Sequence, residues 1–237
     1  VLLGKFKEAF EFSNDIWSED GILFEADLLL GLNYLINQKY SHAIKHFKRL
    51  DKTNRYNLPI ESFLSNALLA WTYAADGNEK DSFNSFNEIS GRYHNLKLIQ
   101  KSFLQCYFDS PDTKNSFDEL IGNKNYNFTR YNFFLANYLI SKEKKEEAKK
   151  VIIVARKENN TNLLLEQSEN FILTKNKKKI EKFFNCKKAQ DNIAEIFYLI
   201  ATLYSSEKEY KLSNFYLKIF LFLNNNFLTN KTLLAEN

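Results

Sequence analysis

His42 and His46 stand four residues apart, the spacing at which two imidazoles on one helix can reach the same metal ion. A zinc site needs further ligands. The third histidine of the chain is His94, and no glutamate follows His42 as a metallopeptidase helix would require. The pair therefore reads as a solvated face beside Ala43 and Phe47, and no metal is assigned. Cys106 and Cys186 lie about two structural repeats apart. An array that advances steadily would hold them too far apart to bridge, so they read as two free thiols, which suits a reducing compartment. Glycine-rich phosphate loops, a GxSxG elbow and aspartate-rich metal motifs are absent from the sequence. Scattered carboxylates on solvated helix faces do not make an acid–base pair. The sequence assigns no catalytic residue and no cofactor, and points away from an enzyme.

Charge is the other place to look for chemistry. The net charge is +4 over 237 residues, a modest excess with most charges interleaved. Lys142 to Lys150 mixes signs, as a turn and an exposed helix face do. Lys175 to Lys188 is the one basic patch: seven lysines, Lys175, Lys177, Lys178, Lys179, Lys182, Lys187 and Lys188, accompanied by Glu181 alone. With aromatics such as Tyr131 and Tyr198 it supports an alternative reading as an RNA-binding helical repeat. The recurring polar positions that such a code needs are missing, which argues against nucleic acid. No run of 18 apolar residues exists, so no membrane span is expected.

The elements that carry these residues follow from a repeated spacing. Gly31 is followed by Tyr34 three residues later, by Ala43 twelve later and by Phe47 sixteen later. The first two share the face of one helix and the last two share the face of the next, with the polar turn Asn37 to Ser41 between them. The same offsets fit Ala70, Tyr73, Ser82 and Phe86; Leu104, Tyr107, Ser116 and Leu120; and Ala136, Leu139, Ala148 and Ile152. They fit again at Ser168, Phe171, Ile180 and Phe184, and at Ala201, Tyr204, Ser213 and Leu217. The second-helix sites recur every 32 to 39 residues from Ala9 onward, the mark of a helical-repeat array. A chain with 22 Phe, 13 Tyr, 6 Gly and 2 Pro fits an all-helical core of this kind.

Through Leu30-Gly31-x-x-Tyr34 and Tyr40-x-x-Ala43-x-x-x-Phe47 and their repetitions, the chain resembles the tetratricopeptide repeat family. The family's tryptophan, four residues before the small first-helix site, is Asp27 here. Its proline at the repeat end is missing, and Leu104 and Ile180 are large where small residues are usual. The resemblance implies an all-α, right-handed α-solenoid of about six repeats over residues 1–237, as one domain. Its helix pairs are 22–52, 59–91, 96–122, 126–158, 161–188 and 191–224. A lone second helix at 5–19 and the start of a further repeat at 227–237 make this a fragment of a longer array. An upstream signal or anchor could therefore be missing, and the compartment stays unassigned, with the cytoplasm slightly favoured.

In such a solenoid the first helices line a concave groove. The positions that face it here include Leu28, Leu32, Leu35, Trp71, Lys101, Phe108, Arg130, Phe133 and Asn137. The expected function is a non-enzymatic scaffold that binds a peptide or partner subunit there, with Trp71 as anchor. Burial of the same residues by tight coiling, by neighbouring missing repeats or by self-association is the competing expectation. A docking segment of a larger enzyme is a further alternative.

Overall fold

Gly31 shows why the repeat begins with a small residue. A Cβ at this position would overlap the Phe47 ring, so the two helices approach as closely as they do because position 31 carries none. In the computed structural model the described residues are 1–18, 21, 23–52, 59–123, 128–174 and 182–227. Among them are twelve α-helices and no strand. They are α1 (Phe6–Ile16), α2 (Phe24–Ile36), α3 (Tyr40–Leu50), α4 (Pro59–Ala75), α5 (Glu79–Asn87) and α6 (His94–Tyr107). Then come α7 (Thr113–Gly122), α8 (Tyr131–Ser141), α9 (Lys145–Glu158), α10 (Leu163–Leu173), α11 (Ala189–Ser206) and α12 (Tyr210–Leu223). None of them is long and apolar enough to cross a membrane.

Most helices pack on their neighbour in sequence, and the turns within pairs repeat in conformation as well as in spacing. Gln38, Gly77, Glu143 and Lys208 all take positive φ, seven residues after Gly31, Ala70, Ala136 and Ala201. The next N–H closes the helix each time: Lys39 donates to the Tyr34 carbonyl at 2.8 Å, Asn78 to Tyr73 at 2.9 Å, Lys144 to Leu139 at 2.8 Å and Glu209 to Tyr204 at 2.8 Å. This is the left-handed helix stop that satisfies the last carbonyls. Side-chain caps start two of the helices, Asn78 accepting from the Asp81 N–H and Asn162 from the Leu165 N–H.

The third pair breaks the pattern and corrects its register. Its positive-φ residue is Asp109, and Ser110 donates to the Gln105 carbonyl at 2.9 Å. Counting back seven residues gives Ser102 as the small site, two residues before Leu104. Ser102 is fully buried. The turn Ser110 to Asp112 is two residues longer than in the other pairs and returns the second helix to phase, which is why its sites match while Leu104 is too large for a first-helix site.

The later helices then turn back onto the earlier ones. Helix α11 packs on α4, and Phe222 of α12 stacks on Phe6 of α1 with ring centroids 4.2 Å apart. Residues 184–188, expected as the end of a helix through Cys186, form an extended and turned link instead. Half of that expected helix, from 177 to 181, lies outside the described residues, as do residues 228–237.

Candidate functional site

The predicted groove residues are mostly inside the core. Leu28, Leu32, Leu35, Trp71, Phe133 and Asn137 are buried, and Lys101, Phe108 and Arg130 are partly buried. Trp71 donates its indole N–H to Gln100 Oε1 at 2.7 Å and meets the edge of Tyr107, so it anchors α4 to α6. Asn137 donates to the Phe184 carbonyl at 3.0 Å. Lys101 reaches Glu119 on α7, and Phe108 packs against Phe83.

Arg130 is committed to Glu195 through two bonds of 2.7 Å, Nε to Oε1 and Nη2 to Oε2. Its guanidinium also lies 4.0 Å from the centre of the Tyr198 ring. Burial pushes the Glu195 carboxyl above its ordinary range, against the pull of Arg130. The pair joins the start of α8 to α11, 65 residues on. It also takes Tyr198 out of the aromatics named for RNA, and Tyr131 is buried as well.

The cysteines form a disulfide, which overturns the reading as free thiols. Cys106 and Cys186 are bonded with their Cα atoms 5.9 Å apart. The register correction explains the error: four residues after Ser102, Cys106 takes the place of Leu35 and Ala74 on the inner side of its helix. The link before α11 crosses that inner side. Lys187 there donates to the Tyr107 carbonyl at 2.7 Å and pairs with Asp109, which also accepts from Lys142 at 2.8 Å. Hydrogen bonds from Lys142 and Lys187 hold the Asp109 carboxyl below its usual range. Of the basic patch, Lys187 is thus engaged, Lys182 and Lys188 are exposed, and 175–181 lie outside the described residues.

The histidine pair also needs correcting. His42 is exposed, but His46 is 6% exposed and its Nδ1 is 2.9 Å from Asp27 Oδ1. Asp27, fully buried, also accepts from Trp17 Nε1 at 2.9 Å and from Arg49 Nε at 3.1 Å. Burial pushes this carboxyl up, and the bonds from His46, Trp17 and Arg49 outweigh it, so it sits below the ordinary carboxylate range. A carboxylate on an imidazole can orient a general base. Among the described residues, however, no serine or cysteine side chain bonds to His46, whose ring stacks on Tyr34 and meets Trp17 edge-on. The cluster ties α1, α2 and α3 together. Among the described residues, three or more metal-ligating side chains do not gather anywhere.

Among the described residues an open apolar hollow of about 570 Å3 lies at the first helix. Its floor is Ala9 and Ser13 of α1 with Ala26 and Leu29 of α2, and Phe215 of α12 closes one side. Leu2, Leu3, Phe12 and Ile16 rise from it; Phe12 is 64% exposed and Leu3 85%. The internal repeat makes the exposure informative. Thirty-four residues later, Phe12 and Ile16 correspond to His46 and Leu50, which α2 and its neighbours bury. Phe12 and Ile16 are not among the residues that the repeat pattern singles out.

The chain matches no protein-family model, and no curated protein or solved structure is detectably similar to it.

Proposed function

We propose that this chain is a non-enzymatic protein-interaction module of the tetratricopeptide type. Its helix pairs form one right-handed solenoid, coiled tightly enough to fill its own concave side, and it binds protein at the apolar face of α1. The observation that supports this reading is the hollow at α1, where large apolar side chains stand exposed above a floor of small ones. Contiguous apolar surface with charge confined to its rim, here Lys5, Glu8 and Glu25, suits contact with another polypeptide. Phe12 replaces Trp71 as the anchor, because an anchor must reach the partner.

The test is a photo-crosslinking amino acid at position 12, beside the same group at the exposed Lys45 as control. Irradiation in extract of the cells that make the protein should give discrete protein adducts from position 12. Equal labelling from both positions, or adducts to nucleic acid, would overturn the proposal.

A further inference from the structure

The turn between α9 and α10 carries a triplet that protein binding at α1 does not use. Asn159-Asn160-Thr161 places a hydroxyl residue two positions after an asparagine, the acceptor pattern for transfer of an oligosaccharide to the asparagine side chain. The chain holds three such triplets, beginning at Asn127, Asn159 and Asn230. Spacing alone is a weak sign in a chain rich in asparagine, so the choice among them falls to the structure. Asn127 and Asn230 lie outside the described residues, and Phe128, inside the first triplet, is buried against Tyr131. The triplet at Asn159 is described throughout.

Asn159 caps the C-terminus of α9, and Asn162 donates its N–H to the Asn159 carbonyl at 3.2 Å, which closes a β-turn over the triplet. Arg156 steadies the turn by donating to the Asn160 carbonyl. Asn160 and Thr161 are exposed and Asn159 is half-buried, so the Thr161 hydroxyl is open to a transferase that reads it. Asn159 Nδ2 donates to the Ala155 carbonyl at 3.3 Å. The nitrogen of a glycosylated asparagine keeps one N–H, so that bond and the modification are compatible. To either side of the turn in sequence, Val154 and Leu163 are each 57% exposed. A sugar chain rooted at position 159 would give this apolar surface a solvated cover.

The second argument, independent of the turn, is the compartment. Cys106 and Cys186 are joined in a disulfide, a bond that forms and persists where the milieu is oxidising, as in the lumen of the secretory pathway. Lipid-linked oligosaccharides are donated in that same lumen. We propose that Asn159 is an N-glycosylation site. In the transfer, Asn159 Nδ2 attacks the anomeric carbon of an oligosaccharide carried on a lipid diphosphate. A C–N bond forms, the C–O bond to the diphosphate breaks, and one amide proton passes to a base of the transferase. The lipid diphosphate leaves with the electron pair.

The protein purified from the cells that make it decides the matter. Its tryptic peptide from Glu158 to Lys175 should be scarce at the unmodified mass. After treatment with a peptide N-glycosidase, which hydrolyses the side-chain amide, the peptide should appear with aspartate at position 159. Expressed in the same cells, Asn159→Gln and Thr161→Val should each lose one glycan step in electrophoretic mobility. Thr161→Ser, which keeps the hydroxyl, and Asn160→Ala should retain that step. A Glu158–Lys175 peptide found unmodified before treatment overturns the proposal, whatever the state of the cysteines. So does a glycan pattern unchanged by Thr161→Val, because the sugar would then be attached elsewhere.

Discussion

Replacing Cys106 and Cys186 together by serine removes a covalent closure that spans 80 residues of chain. The native fold keeps its noncovalent contacts in that variant, while the unfolded chain gains the conformations that the bridge had forbidden. With a closed loop of this size, the chain-entropy relation gives a loss of about 4.5 kcal/mol. For a chain of this length, with an m value of about 3 kcal/mol per molar urea, the midpoint should fall by about 1.5 M. The wild type in a reductant, once reduced, should unfold at the same midpoint as the double-serine variant. Both cysteines are buried, so reduction in native buffer should be slow and should accelerate sharply once urea opens the fold. Thiol titration supplies the independent check: unreduced wild type, unfolded in urea, should react with no equivalents of a maleimide. If it reacts with two, or if the double variant unfolds within about 1 kcal/mol of the wild type, the closure argument fails.

Asp191 carries a second prediction. Burial pushes its carboxyl from 3.8 to about 6, only partly offset by the Asn185 N–H that it accepts at 2.8 Å and by Lys188. Because the folded value lies above the unfolded one, the folded chain takes up a proton between about pH 4 and 6, and stability falls as pH rises through that window. Asp191→Asn keeps an acceptor for Asn185 without the charge, so it should gain on the order of 1–3 kcal/mol at pH 7 and nothing below pH 4. Urea midpoints of the two proteins from pH 4 to 7 decide it, and a difference independent of pH would count against this assignment. Arg130→Met should cost about 3–5 kcal/mol by stranding the buried Glu195, and a companion Glu195→Leu should recover most of the loss. A double-mutant cycle by denaturation measures the recovery, and additive losses would show that the pair does not act as a unit.

Helix positions were legible because turn chemistry and apolar spacing agreed. Pro59 opens α4 and Ala75 ends it as the sequence suggests, and Gly31 sits where a Cβ would strike Phe47. The third pair was misread by two residues because Leu104 and Tyr107 satisfied the spacing while Ser102 and Gln105 satisfied the turn. That slip hid the inward face of Cys106. The assumption of steady advance then hid Cys186, since spacing along a chain says nothing of how far an array curls. The buried polar groups left fainter traces. Asp27 stands between Ala26 and Leu28, and Glu195 between Ala194 and Ile196, each a charge flanked by apolar residues. Such a charge needs a partner when buried. Its identity came from another helix, beyond the reach of any local pattern.

The same long-range links decide where a partner can bind. The Cys106–Cys186 bridge, the Arg130–Glu195 pair and the Asn137 bond to the Phe184 carbonyl all join the middle helices to the stretch around α11. Apolar contacts alone would tolerate sliding and a change of curvature, whereas these links hold at one geometry. A ligand entering between the middle helices and α11 would have to separate α8 from α11. The disulfide cannot be opened by binding at all. The seam between α8 and α11 is therefore held closed, whereas α1 exposes Phe12 and Ile16, whose counterparts one repeat later, His46 and Leu50, are buried.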